Sequence, residues 1–274
     1  MYFYETLFKW SELGQDFVQH KRIVDKHLDN VIRQAIKSRQ LASDHRVMSF
    51  LDILIDSHLQ NPTLMSISDI SDHLSTFVFA GHDTSALSVC FALYLVGHYP
   101  HVQQRIQQEV DQLDLANDTC NWIKNLTYLE QVIHETMRLY PPAPFIGRFT
   151  TKAIDYDHIR IPDNTDVIVS IYDIHRNVQH WPHPEIFDPD RFAPEVAKNR
   201  HPYAFIPFSG GPRNCIGKSQ AMLETKSILA HIFKQYEVLS IQPRDTLRIA
   251  ANVTIHMKES MSIKFIERRD VFLF

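Results

Sequence analysis

Apolar residues recur at helical spacing through the first half of the chain. Val24, Leu28, Val31, Ile32, Ala35 and Ile36 fall on one face, and Val47, Phe50, Leu51, Leu54 and Ile55 repeat the pattern in the next segment. Both segments read as surface helices that pack one face inward. Ser66 followed by Asp69 is a capping-box pair, and Gly97 with Pro100 is a stop, so the pattern predicts an unusually long helix between them. A second such pair, Thr127 with Glu130, predicts a helix with Leu129, Val132, Ile133 and Leu139 apolar, closed by Pro141 and Pro142. Beyond the prolines the period changes. Ile159-Arg160-Ile161, a Pro162-Asp163-Asn164 turn and Val167-Ile168-Val169-Ser170-Ile171 predict a short antiparallel hairpin. From Trp181 to Pro212 prolines and aromatics replace periodicity, which predicts a long irregular loop of the kind that serves a site. A last helix follows Cys215, with Ala221, Met222, Thr225, Ile228, Leu229, Ile232, Phe233 and Tyr236 on one face. The fold class expected is mainly α with small β-sheets.

Composition narrows the function classes more than the fold. The chain has 274 residues, 44% of them hydrophobic and 22% charged, which suits an ordinary globular core. A net charge of −4 provides no broad basic field, so nucleic acid is excluded as a partner. The three cysteines, 90, 120 and 215, form no C-x-x-C pair, which argues against a disulfide framework or a structural zinc site. The opening residues show neither the basic nor the apolar region of a signal peptide. Leu74 to Val96 approaches membrane length, yet His82 and Asp83 sit at its centre. A charge there costs on the order of 3 kcal/mol on insertion scales, so a buried core helix around a functional site is expected instead. The sequons at Asn117, Asn125 and Asn252 read as incidental.

The sharpest chemical signal is Phe208-Ser209-Gly210-Gly211-Pro212-Arg213-Asn214-Cys215-Ile216-Gly217. A cysteine lies between glycines just before an amphipathic helix, whose N-terminus favours a thiolate over a thiol. Gly211 and Gly217 allow backbone conformations and close approaches that a side chain would block. Arg213 offers a permanent cation for a cofactor carboxylate. Taken alone, a loop cysteine is most often a small core hydrophobe, and an E-x-x-R pair such as Glu135 with Arg138 is most often solvated. Thr84 could equally be a core threonine, Asp83 a paired helix acid and Arg148 a surface cation. Company and order change these weights.

The run F-x-x-G-x-R-x-C-x-G, with Glu135 and Arg138 upstream of Pro189-Asp190-Arg191-Phe192, resembles the cytochrome P450 superfamily over nearly the whole chain. The resemblance implies haem b with Cys215 as axial thiolate, Phe208 packed over the sulfur side, and Arg213 and Arg148 reaching propionates. It implies a buried network of Glu135, Arg138 and Arg191 that holds the cysteine loop, so that loss of any one collapses haem retention. In Ala80-Gly81-His82-Asp83-Thr84-Ser85 it implies an acid-alcohol pair, Asp83 and Thr84, that relays protons to dioxygen. His134 through Pro142 and Gly211 through Gly217 look most like the branch of fatty-acid ω-hydroxylases, which often carries a glutamate, esterified to a haem methyl, where this chain has Ala80; noncovalent haem is therefore expected.

On this resemblance residues 1–274 are one haem-binding domain, the C-terminal part of the fold without its N-terminal third. The implied activity is a monooxygenase that inserts one atom of O2 into a lipophilic, fatty-acid-like substrate. Electrons come from an NADPH-cytochrome reductase, and the full-length protein sits on the cytosolic face of the endoplasmic reticulum membrane. The rivals are a thiolate-haem isomerase or dehydratase, against which Asp83 with Thr84 argues, and a non-catalytic haem-binding fragment.

Overall fold

A computed structural model describes residues 5–41, 48–113 and 121–268. Val47, Cys120 and the sequon at Asn117 lie outside the described residues. The chain divides into two compact units, up to Ala80 and from Gly81 onward.

The first unit contains α1 (Glu5–Trp10), α2 (Glu12–Leu41), α3 (Phe50–Gln60) and the first half of α4 (Ile67–Val96). Ile32, Leu54, Ile55 and Ile70 form its core, with Ala35, Ile36 and Leu51 packed against it. The inward face of α2 begins at Leu28, which is buried, whereas Val24 points to solvent. Helix periodicity predicted both inward; the drift of an apolar stripe around a long helix leaves its first member uncovered. The box predicted at the start of α4 is present. The Ser66 amide donates to Asp69 Oδ2 at 2.8 Å, and the Asp69 amide donates to Ser66 Oγ at 3.1 Å. These bonds from the Ser66 backbone and side chain hold the Asp69 carboxyl below its usual range.

In the second unit the other half of α4 packs with α5 (Pro100–Asp111), α6 (Trp122–Asn125) and α7 (Thr127–Leu139). Phe91, Ile106, Leu129 and Val132 are wholly buried there, each contributing about 1.5–3 kcal/mol by removal from water. Helix α4 is long and apolar enough to cross a membrane, but Phe91 through Val96 are core residues of this unit.

The start of α7 differs from the capping box expected. Its N-cap is Leu126, with no side-chain cap bond of its own. Glu109 of α5 supplies the acceptors: its carboxylate takes the Tyr128 amide at 2.7 Å, the Leu129 amide at 2.9 Å and the Thr127 hydroxyl at 3.1 Å. A carboxylate also suits the positive end of the helix dipole.

Four short antiparallel pairs follow among the described residues. β1 (Phe145–Phe149) pairs with β4 (Asp166–Ser170), and β2 (Ile154–Tyr156) with β3 (Ile159–Ile161). The two predicted strands therefore exist but do not pair with each other. Thr150 is the reason. Its amide donates to Thr165 O, its hydroxyl to Pro162 O, and its carbonyl accepts from Asn164 N at 2.7 Å, so the turn is stitched to the end of β1. Asn164 adopts a φ of 52°, a left-handed conformation that asparagine tolerates. Ile171 does not extend β4; it opens α8 (Ile171–Ile174), where Ser170 Oγ accepts from the Asp173 amide.

The stretch from Trp181 to Pro212 carries isolated single turns, among them Pro189–Phe192 and α9 (Pro194–Ala197). Then come α10 (Lys218–Gln235), β5 (Tyr236–Ser240) paired with β8 (Ile263–Glu267), and β6 (Ile249–Ala251) paired with β7 (Ile255–Met257). Leu229 and Phe233 of α10 close the core from the other side.

Candidate functional site

The cysteine loop is built by one reversal of the backbone. The Cys215 amide donates to Phe208 O at 2.9 Å and the Asn214 amide to Gly211 O at 3.1 Å, which turns the loop back on itself. Gly211 sits at φ +75°, and Ser209 reaches φ 63°. A side chain at Gly211 would meet no atom within 4 Å, so the requirement there is conformational. At Gly217, the N-cap of α10, φ is an ordinary −85°. A Cβ there would meet only Cys215 Sγ, at 3.9 Å, so this glycine keeps the face beside the thiol clear. Cys215 and Ile216 are exposed, and Phe208 is half-buried against the core.

Behind the loop lies the buried ion network. Arg138 Nε and Nη2 donate to the two oxygens of Glu135 at 2.6 and 2.8 Å, and both side chains are wholly buried. The rest of the guanidinium is also satisfied, by His175 O at 3.0 Å and Ile186 O at 3.1 Å. Glu135 further accepts the Asp188 amide at 2.9 Å. Arg191 stands 3.6 Å from Glu135 Oε1, an ion pair rather than a hydrogen bond, and anchors through Nη2 to His183 O. Burial pushes the Glu135 carboxyl up, opposed by Arg138, the Asp188 amide and Arg191.

Residues that the sequence did not single out carry this network to the loop. Arg138 and Arg200 both lie over the buried Trp181 ring, at 5.1 and 4.1 Å from its centroid. Trp181 Nε1 donates to Ala204 O, and His175 Nε2 accepts the Ile206 amide at 2.9 Å. Ile206 in turn accepts from the Ser209 amide at the base of the cysteine loop. As an acceptor His175 must be neutral at Nε2, and burial drives its imidazole down to about 3. His134, packed against the Phe192 and Phe205 rings, is pushed down to about 4 by burial. A lone histidine and a lone tryptophan in a proline-rich stretch carry no spacing signal; only their aromatic company hinted at a packed loop.

In front of the loop is a largely apolar cavity of about 240 Å³ whose wall includes Cys215, Phe208, Arg213, Thr84, Ala143 and Ile146. The structure thus brings the predicted thiol loop and the predicted Thr84 to one space. Arg148, on β1, reaches the loop through Nη2, 3.3 Å from Ser209 Oγ. Neither Arg148 nor Arg213 pairs with a carboxylate among the described residues. Asp83 does not line the cavity; its Oδ2 accepts the Thr254 hydroxyl at 2.7 Å. Gly81 leaves the helix face open, with nothing within 4 Å of a Cβ placed there. Cys90 lies on α4 away from the cavity wall. Among the described residues no three His, Cys, Asp or Glu side chains gather to hold a metal ion.

That donor set fits haem. One thiol faces a mainly apolar cavity, and two guanidiniums without carboxylate partners stand beside it for a dicarboxylate group.

The family model for cytochrome P450 matches residues 1–264. Cytochrome P450 4V2 of Mus musculus is 34% identical over 272 residues, covering 94% of this chain and 52% of its own length. Cytochrome P450 4A11 of Homo sapiens is 36% identical, covering 90% of this chain and 49% of its own length. The chain thus spans about half the length of these relatives. Among solved structures, a cyanobacterial protein described as retinoic acid bound CYP120A1 superposes with a TM-score of 0.79 at 26% identity, covering 93% of this chain and 58% of its own.

Proposed function

The chain belongs to the cytochrome P450 family, and from that premise we propose that residues 1–274 are the haem-binding part of a monooxygenase that hydroxylates a lipophilic, fatty-acid-like substrate. The observation that carries this reading is the shared cavity wall, where Cys215 and Thr84 face one mainly apolar space.

Each residue has a defined task in it. Cys215 supplies the thiolate, and Arg213 and Arg148 hold the carboxylates of haem b. Haem bound there supplies reductive activation of dioxygen, favoured by electron donation from a thiolate ligand. Phe208 keeps water from the sulfur, while Gly211 and Gly217 keep the loop turned and its face clear. Glu135, Arg138 and Arg191 fix the loop from behind. Thr84 Oγ1 holds a proton at the cavity wall, and Asp83, the preceding and half-buried residue of α4, takes up a proton from solvent and passes it on.

Support for the substrate class comes from the apolar cavity, from relatives named in the cytochrome P450 4 group, and from a structural neighbour described with retinoic acid, a lipophilic acid. The electron donor is an NADPH-cytochrome reductase, and the site of action a membrane surface of the endoplasmic reticulum, as the family likeness implies.

The test is turnover of dodecanoic acid by the haem-loaded protein with reductase and NADPH under isotopically labelled O2. One labelled oxygen in a hydroxylated product supports the reading. Intact thiolate-ligated haem without NADPH-dependent oxygen uptake contradicts it and favours an isomerase or a non-catalytic haem protein.

A further inference from the structure

We propose that Thr254 is a positioning residue that latches the carboxylate of Asp83, with His256 as the outer member of the same hydrogen-bonded chain. The inference rests on the reading of Asp83 as the proton-replenishing acid, and goes beyond it by naming what holds that acid in place.

Thr254 is separated from Asp83 by 171 residues in sequence, yet its hydroxyl lies 2.7 Å from Asp83 Oδ2 and is buried at 4% exposure. The same oxygen lies 3.0 Å from His256 Nε2. A hydroxyl has one proton, and an ionised carboxylate only accepts. For both contacts to be hydrogen bonds, Thr254 donates to Asp83 and His256 Nε2–H donates to Thr254. The chain of donors therefore points inward, toward α4, and ends on the acid.

The segment that presents Thr254 is itself anchored. It is the turn between β6 and β7, closed by the Asn252 amide on Thr254 O at 3.0 Å. The next amide, that of the buried Ile255, donates to Pro142 O at 2.9 Å, and Pro142 belongs to the cavity wall. The turn is thus tied to the cavity at one residue and to the acid at the preceding one. Asp83 is only half-buried and has several staggered rotamers available. Without the latch its carboxylate swings among them and leaves the single position that the Thr254 hydroxyl fixes. The consequence is specific: oxygen is still reduced, but protons arrive late, and peroxide escapes in place of hydroxylated product.

Two substitutions separate positioning from simple packing. Thr254→Val keeps the shape and loses the donor, whereas Thr254→Ser keeps the donor and loses a methyl group. The haem-loaded protein, with reductase, NADPH and dodecanoic acid as probe, is assayed for peroxide released per oxygen consumed. Amide hydrogen exchange at Asn252 and Ile255 is followed in the same proteins. We expect Thr254→Val to raise the peroxide fraction relative to product by about tenfold, less than the loss of an entire general acid. Thr254→Ser stays within about twofold of the parent, Asp83→Asn combined with Thr254→Val is no worse than Asp83→Asn alone, and both Asp83→Asn and Thr254→Val speed exchange at the turn. A parental peroxide fraction in Thr254→Val beside an uncoupled Asp83→Asn overturns the latch while leaving the acid's role standing. Thr254→Ser as defective as Thr254→Val, or unaltered exchange in both single variants, also overturns it. Coupling unaffected by Asp83→Asn removes the relay reading itself, and the latch with it.

Discussion

Glu135 shows how much can depend on one carboxylate. It is wholly buried, it takes both arms of Arg138 and the Asp188 amide, and Arg191 faces it at 3.6 Å. Desolvation of such a group is tolerated only because both carboxylate oxygens accept hydrogen bonds and two guanidiniums face it. Glu135→Ala therefore strands the Arg138 charge in the interior, and removing one partner of a buried pair costs about 3–5 kcal/mol. The expected outcome is a chain that unfolds at lower urea concentration and loses haem. Parental stability and haem content in this variant would show that the network does not hold the cysteine loop. The two buried histidines make a second prediction at this scale. Burial lowers His134 to about 4 and His175 to about 3, from 6.5 in the exposed state. The unfolded chain then binds protons first, so stability is complete above about pH 6.5 and falls with pH, by roughly 1.4 kcal/mol per pH unit for each histidine. The loss levels off once pH is below the folded values. Urea unfolding at pH 6.5 and 5 should show this slope, and His134→Phe, which suits the ring pocket of Phe192 and Phe205, should remove about half of the histidine contribution. A slope unchanged by that substitution would contradict the assignment.

Among the elements, α7 carries the network and is begun by another helix. Its first amides end on Glu109, so Glu109→Ala should expose them and cost about 1–2 kcal/mol, as loss of a good cap does. Thermal unfolding checks this; the capping role that sequence spacing assigned to Glu130 is taken by Glu109, while the Glu130 carboxylate pairs with the buried Lys226. The contrast explains which elements could be read in advance. Local signals decided the long helix α4, with Ser66 and Asp69 at one end and Gly97 at the other, and the helix after Cys215. Signals that depend on distant partners were invisible: Glu109 reaching α7, Thr150 drawing β3 and β4 to different neighbours, and Thr254 meeting Asp83. The cysteine loop was legible because its glycines, arginine and cysteine are contiguous. His175 and Trp181 were not, since their roles arise only where remote backbone carbonyls and amides converge on them.

For the molecule as a whole, these parts converge on one space. A loop turned by Gly211 presents Cys215 and carries Arg213, Arg148 reaches that loop, a buried ion network connects to it, and α4 brings Thr84 to the same cavity. The relatives matched are about twice as long as this chain. The central claim is that Cys215 is the iron ligand. The measurement that tests it most directly is the carbon-monoxide difference spectrum of the reduced, haem-loaded protein beside its Cys215→Ala variant. The account predicts the Soret band of a thiolate-ligated carbonyl complex in the first and its absence in the second. The same thiolate band in both proteins, or bound haem showing only a neutral-ligand band in the parent, would contradict it.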